Sequence, residues 1–179
     1  MWIPVLIAGL FGAALAESVL ARGPSAEAMA RAGPACSISV LLFEPADASG
    51  RLIDLTTGRR GFSHAAIDSC EIGARGEHLV IDCSPGRGVG RRPLAELGEG
   101  RPFVRVVLPL AAGAELYGCA RARIGEPFSS RLVCSQLVWD CLPAALRPPK
   151  PAGRPVAPND LAAAWGARPG SAAIFLEET

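Results

Sequence analysis

Four short apolar segments, residues 37–43, 62–69, 78–83 and 103–108, most constrain what this chain can fold into. Each is too short for a core helix and reads as a strand, the first by its short apolar run and its β-branched content. Glycine-bearing turns separate them: Gly58-Arg59-Arg60-Gly61, the Gly73/Gly76 loop, and Ser84-Pro85-Gly86-Arg87-Gly88-Val89-Gly90. The pattern then changes period. Over residues 112–124, Leu116, Tyr117, Ala120 and Ile124 share one helical face. Cys134, Leu137, Val138, Cys141 and Leu142 do the same before Pro143 ends the run. Strands first and helices second predict an α+β domain, with an antiparallel sheet packed against helices. Smaller elements complete the expectation. They are a helix over 49–57 with Leu52, Ile53 and Leu55 inward, a helix over 161–165 capped by Asn159 or Asp160, and a last strand over 172–176. The six prolines between 143 and 158 predict an extended surface loop.

A chain of 179 residues suits one domain with a real core. Its expected extent is 36–179, preceded by a leader over 1–35. Within that leader, residues 2–16 are apolar and end in Ala14-Leu15-Ala16, the small-x-small form of a signal-peptidase site, but no positive n-region precedes them. The run is also shorter than the roughly 20 residues that span a bilayer. Two readings stand: a signal peptide or weak membrane anchor, and a helix packed on the domain or a partner. The first carries an expectation of the cell envelope, periplasmic or secreted; the second leaves the cytoplasm open. The formal net charge of +1 with no long basic run argues against nucleic acid as a partner, and a monomer is expected. Six cysteines without a C-x-x-C pair give no zinc motif. Neither a metal nor an organic cofactor is expected. Cys83 and Cys141 read as core residues, and Gly86/Gly88/Gly90 as a tight turn or bulge, since no phosphate-loop pattern is present.

The chemistry centres on Cys134. It sits where a loop turns into a helix, and the partial positive charge and open N–H groups of a helix N-terminus favour a thiolate. A thiol nucleophile needs an imidazole to exchange its proton and a polar group to orient that imidazole. Only two histidines are available. His64, flanked by Ser63 and Ala65, is the candidate base; His78, at the start of the next strand, reads as a solvated edge residue. If the hairpin closes around a five-residue loop between Cys70 and Gly76, His64 faces Asp82 directly on one side of the sheet. Asp68 shares that side but lies about 13 Å further along the strand. Asp82 is therefore the expected orienting carboxylate.

The order of these pieces is itself informative. A strand with Phe62-Ser63-His64, a strand with Ile81-Asp82, a helix followed by Gly125-Glu126-Pro127-Phe128, then Cys134-Ser135-Gln136-Leu137-Val138 and Pro158-Asn159-Asp160-Leu161 resembles the circularly permuted papain-fold enzymes. These form the permuted, YiiX/YaeF-type branch of the NlpC-type superfamily, with the lecithin–retinol acyltransferase group more distant. The resemblance spans residues 37–161 and implies a cysteine peptidase or amidase with Cys134 as nucleophile, His64 as base and Asp82 as third member. Ser130, Ser135, Gln136 and Phe128 are the implied oxyanion and substrate-binding positions. The substrate would be a peptide or lipid amide or ester. A thiol acyltransferase, or a catalytically weak peptidoglycan- or lipid-binding module, is the alternative. Two residues depart from the family pattern: Phe128 stands where a tyrosine is frequent, and Gln136 where glutamate is common.

Overall fold

The computed structural model describes residues 37–98 and 100–176, so the readings of the 2–16 run and of the leader lie outside the described residues. Six strands form one sheet: β1 (Ser39–Phe43), β2 (His64–Ile72), β3 (His78–Ser84), β4 (Gly88–Pro93), β5 (Phe103–Val107) and β6 (Ala173–Phe175). Their order is β4-β3-β2-β1-β5-β6. All neighbours are antiparallel except β5 and β6. Helices α1 (Ala48–Thr56), α2 (Leu94–Gly98), α3 (Leu110–Ala122), α4 (Cys134–Cys141) and α5 (Pro158–Trp165) complete an α+β fold, a mixed sheet packed against helices.

Strand alternation divides the apolar residues between the two faces of the sheet. Val40, Leu42, Ala65, Ile67, Ile81 and Val104 pack with Leu116 and Ala120 of α3, Leu137 and Val138 of α4, and Leu161 of α5 in the larger core. On the other face, Leu41, Phe43, Ala66, Val80 and Phe103 gather around Leu94, the first residue of α2. The centre of the sheet is thus sealed on both sides, which fixes its register, since a one-residue slip would exchange the two sets.

Cys119 on α3 and Cys141 on α4 form a disulfide with a sequence separation of 22. Cys141 therefore belongs to the core, as expected, but as a covalent tie between the helix that carries Cys134 and its neighbour. Cys70 is disulfide-bonded as well, while Cys83 and Cys134 are free thiols. Changing both Cys119 and Cys141 to Ala is expected to lower stability by about 3 kcal/mol through the loop it releases in the unfolded chain. Urea unfolding under non-reducing conditions measures this; an unchanged midpoint would mean that packing alone holds α3 to α4.

Four expectations need correction. The β2–β3 hairpin turns at Gly73–Glu77, with Ile72 opposite His78 and Ile67 opposite Ile81, and an irregularity between Asp68 and Glu71. Cys70 there has φ 57°, the left-handed conformation of a bulge. His64 and Asp82 are therefore diagonal rather than directly opposed. Because the register moves by two, their side chains keep the same face. The glycine cluster opens with the expected turn, over 85–87, but continues as β4; Gly88, at φ +68°, lies so close to Glu126 that a β-carbon would fall 2.3 Å from its carbonyl oxygen. Leu52, Ile53 and Leu55 are not inward: they are 61, 41 and 52% exposed. At 100° per residue those three positions spread over too wide an arc for one buried face. Polar contacts anchor α1 instead: Asp47 caps it by accepting from Gly50 N–H at 2.7 Å, and the Asp54 carboxylate accepts from Gly61 N–H and from Asn159 Nδ2. Finally, His78 is buried, 7% exposed, and not a solvated edge residue.

Candidate active site

His64 opens β2, where the preceding Ser63 N–H donates to Phe43 O at 3.0 Å and Phe62 N–H donates to Asn159 Oδ1 at 3.1 Å. Both ends of this turn are thus pinned before the histidine is reached. Its ring packs against Phe43 with centroids 5.9 Å apart. Nε2 lies 3.3 Å from Asp82 Oδ2, which leaves Nδ1 as the nitrogen for a second partner.

Asp82 is fully buried and is held by two residues that sequence reasoning missed. Ser84 donates its hydroxyl to Oδ2, and the Arg92 guanidinium pairs with Oδ1. Arg92 is itself buried and donates to Gly88 O at 3.2 Å. Burial pulls the Arg92 guanidinium below its ordinary value. The residue opposite Asp82 on β4 is Gly90. With no side chain there, the Arg92 guanidinium crosses over Gly90, 3.8 Å from where its β-carbon would stand. The signal was present as an arginine and a glycine two apart, but it becomes readable only once residues 88–93 are known to be a strand.

Cys134 is the first residue of α4 and only 9% exposed. Val133 at the cap position has extended backbone and offers no side-chain acceptor, so the first N–H groups of the helix have neither a cap nor an intrahelical partner. Burial pushes the thiol up, but the charge of His64, its hydrogen bond to the sulfur and the Ala65 N–H outweigh burial and bring it down to about 7. Cys83 borders the same cavity and behaves oppositely: burial, then the neighbouring Cys134 charge, push it up to about 11. Its thiol donates to Leu132 O at 3.4 Å.

A cavity of about 260 Å³ opens between His64, Cys83, Cys134, Phe128 and the 154–158 segment. Phe128 and Ser135 border it; Ser130 and Gln136 do not. Ser135 gives its single hydroxyl proton to Val156 O at 2.7 Å, and Gln136 Oε1 accepts from Val156 N–H at 3.0 Å while its Nε2 donates to Asp140. These two side chains therefore clamp the segment that forms one wall of the cavity. Ser130 is exposed, and the neighbouring Ser129 hydroxyl accepts from Arg131 and Leu132 N–H within its own turn.

A second buried histidine–carboxylate pair lies further along β2. Asp68 accepts at 2.5 Å from His78 Nε2 and is 2.6 Å from Arg105 Nη2, while Arg105 Nη1 donates to Ser39 Oγ at 2.7 Å. Burial raises the Asp68 carboxyl, but His78 and Arg105 overcome it and hold it below the usual carboxylate value. A lowered folded value means that this stabilisation is complete above about pH 4, the unfolded carboxylate value, and is lost as pH falls through the folded one. Asp68→Asn is expected to weaken the protein at neutral pH and flatten its acid limb. Urea midpoints measured from neutral pH down to about pH 3 check this; an unchanged acid limb would remove Asp68 from the account.

Among the described residues, no group of three or more His, Cys, Asp or Glu side chains is placed to hold a metal ion. None of the described helices is long and apolar enough to cross a membrane. No family model, curated protein or solved structure matches the chain.

Proposed function

We propose that this protein is a cysteine-dependent hydrolase of amides or esters, built as a permuted papain-like, NlpC-type domain. The observation that carries the reading is a buried thiol held at about 7 by His64 at the open end of a helix. The strand bearing the histidine precedes the helix bearing the cysteine, which is the chain order of the permuted enzymes. A peptidase, an amidase and an ester hydrolase share this first step, and an acyltransferase differs only in the acceptor.

In the proposed reaction the Cys134 thiolate attacks the acyl carbon, and the oxyanion is met by the Cys134 N–H at the helix end. His64, which has taken the thiol proton, returns it to the departing amine or alcohol as the C–N or C–O bond breaks. A water molecule, deprotonated by His64, then attacks the thioester, releasing the acid and restoring the thiol. Asp82 fixes the imidazole with Nε2 inward, leaving Nδ1 for sulfur. The Cys119–Cys141 disulfide and the disulfide-bonded Cys70 fit an oxidising compartment, in keeping with an envelope or secreted enzyme.

Iodoacetamide labelling across pH, resolved by residue in a mass spectrometer, tests the reading. Cys134 is expected to label with a midpoint of about 7, well before Cys83 at about 11. Slow labelling of both thiols with a midpoint at or above the ordinary value of about 8.5 would favour a non-catalytic binding module instead.

A further inference from the structure

Two of the apolar side chains that the fold leaves wet, Ile53 and Phe128, stand at the Cys134 cavity. Leu52, Ile53 and Leu55 on α1 are 61, 41 and 52% exposed, and Phe128 is 36% exposed. Single exposed leucines are ordinary on any surface; what matters is their position. Ile53 and Phe128 border the cavity. Successive positions on α1 point about 100° apart, and neither Leu52 nor Leu55 borders the cavity, so the apolar rim is Ile53 and Phe128. Inside, Val133 and Val156 carry the same character down to the sulfur.

The charges of the cavity matter as much. His64 is engaged with Asp82 and Cys134. Arg154 borders the cavity, but its guanidinium is taken by both oxygens of Asp160, at 2.7 and 2.8 Å. No other charged side chain borders the cavity among the described residues. A substrate carrying a charged group beside its reacting carbonyl would be stripped of water there without a counter-charge, which is unfavourable. An apolar chain would cover wet apolar surface at the cavity wall and at Ile53 and Phe128 on its rim, which is favourable.

Resting on the thiol-hydrolase reading, we infer that the acyl group transferred to Cys134 is a long aliphatic chain. Its carbonyl lies at the thiol, its first methylenes lie between Val133 and Val156, and its remainder leaves the cavity past the exposed side chains of Ile53 and Phe128. The chemical class of substrate is thus a long-chain acyl amide or ester.

A homologous series of N-alkylmaleimides, from methyl to octyl at submicellar concentration, reads the chain site without requiring turnover. Each methylene removed from water is expected to raise the rate of Cys134 modification about three- to fourfold until the cleft is filled. The octyl reagent should therefore exceed the methyl reagent by at least about tenfold, after correction for their ratio on a free small thiol. The double variant Ile53→Asp/Phe128→Asp should bring that corrected ratio close to one. A flat ratio in the wild-type protein would overturn the inference. So would a steep ratio that survives the double variant, because the chain would then be binding elsewhere. Should the double variant fail to fold, Phe128→Ser alone, at an exposed loop position, must still lower the ratio. Failure of the underlying hydrolase reading is separately visible: the methyl reagent would then modify Cys134 slowly and with no dependence on His64, whatever the chain-length ratio.

Discussion

His64→Ala is expected to abolish the neutral-pH reactivity of Cys134. With the imidazole present the thiol sits at about 7 and is half ionised near neutrality. Burial is the largest influence on it and acts upward, so removing His64 leaves that influence opposed mainly by the Ala65 N–H. Even a return to the ordinary thiol value of about 8.5 would cut the ionised fraction at neutral pH about 15-fold. Burial should carry the change further. Labelling at neutral pH should fall at least that much, and its midpoint should move upward. Turnover should fall by about 10²- to 10⁴-fold, because the variant also lacks the proton donor for the leaving group. Cys134→Ser should be at least as severe. The double variant should be no worse than the worse single one, as is usual for groups that act as a unit. Independent, multiplying losses would show that His64 acts elsewhere. Retention of full turnover by Cys134→Ser on any substrate the wild type cleaves would end the nucleophile assignment.

What the sequence could and could not disclose follows from the range of the interactions involved. The core strands and the helix at Cys134 are encoded locally, in apolar runs and a clean helical period, and they appear where that pattern puts them. The pairing of His64 with Asp82 depended on hairpin register, a non-local property. The assumed register was off by two because the bulge at Cys70 and the true turn at Gly73–Glu77 leave little local trace. An even slip preserved the facing of the two side chains; an odd one would have separated them. β4 escaped notice because Gly88 and Gly90 depress strand propensity. Gly88 serves a contact remote in sequence, with Glu126, and Gly90 makes room for the Arg92 side chain two residues on. For the same reason the hydrogen-bond partners of Ser135 and Gln136 are not legible in the sequence. Their neighbour in sequence is the nucleophile, but their partner in space is the Val156 backbone, twenty residues on. His78 looked like an edge residue since nothing adjacent to it announces the buried Asp68 and Arg105.

The Asp82–Arg92 pair separates structural from catalytic function in a way no single variant can. Both side chains are buried, and Ser84 and His64 share the same carboxylate. Asp82→Asn keeps the shape but removes the charge. It leaves Arg92 as a buried cation without a counter-charge, a defect that typically costs 3–5 kcal/mol, so a loss of about that size is expected in urea unfolding. The amide also permits the wrong imidazole tautomer to be held, a change that lowers kcat by about 10⁴-fold in a serine-type triad; papain-like Cys-His-Asn triads work with an amide in this place, so a smaller fall in kcat is expected here. A loss of activity in this variant alone would be ambiguous between the two effects. Adding Arg92→Met removes the stranded cation, and an apolar side chain of similar reach over Gly90 should recover most of the stability, since buried ion pairs are often replaceable at little net cost. Turnover should not recover with it, because the imidazole still lacks its carboxylate. Arg92→Met on its own should give the complementary result: a comparable stability loss from an unpaired Asp82, with the carboxylate still facing Nε2 and a far smaller drop in kcat. If stability and kcat instead rise and fall together across all three variants, Asp82 supports the fold alone, and the orientation of His64 must come from Phe43 and the strand itself.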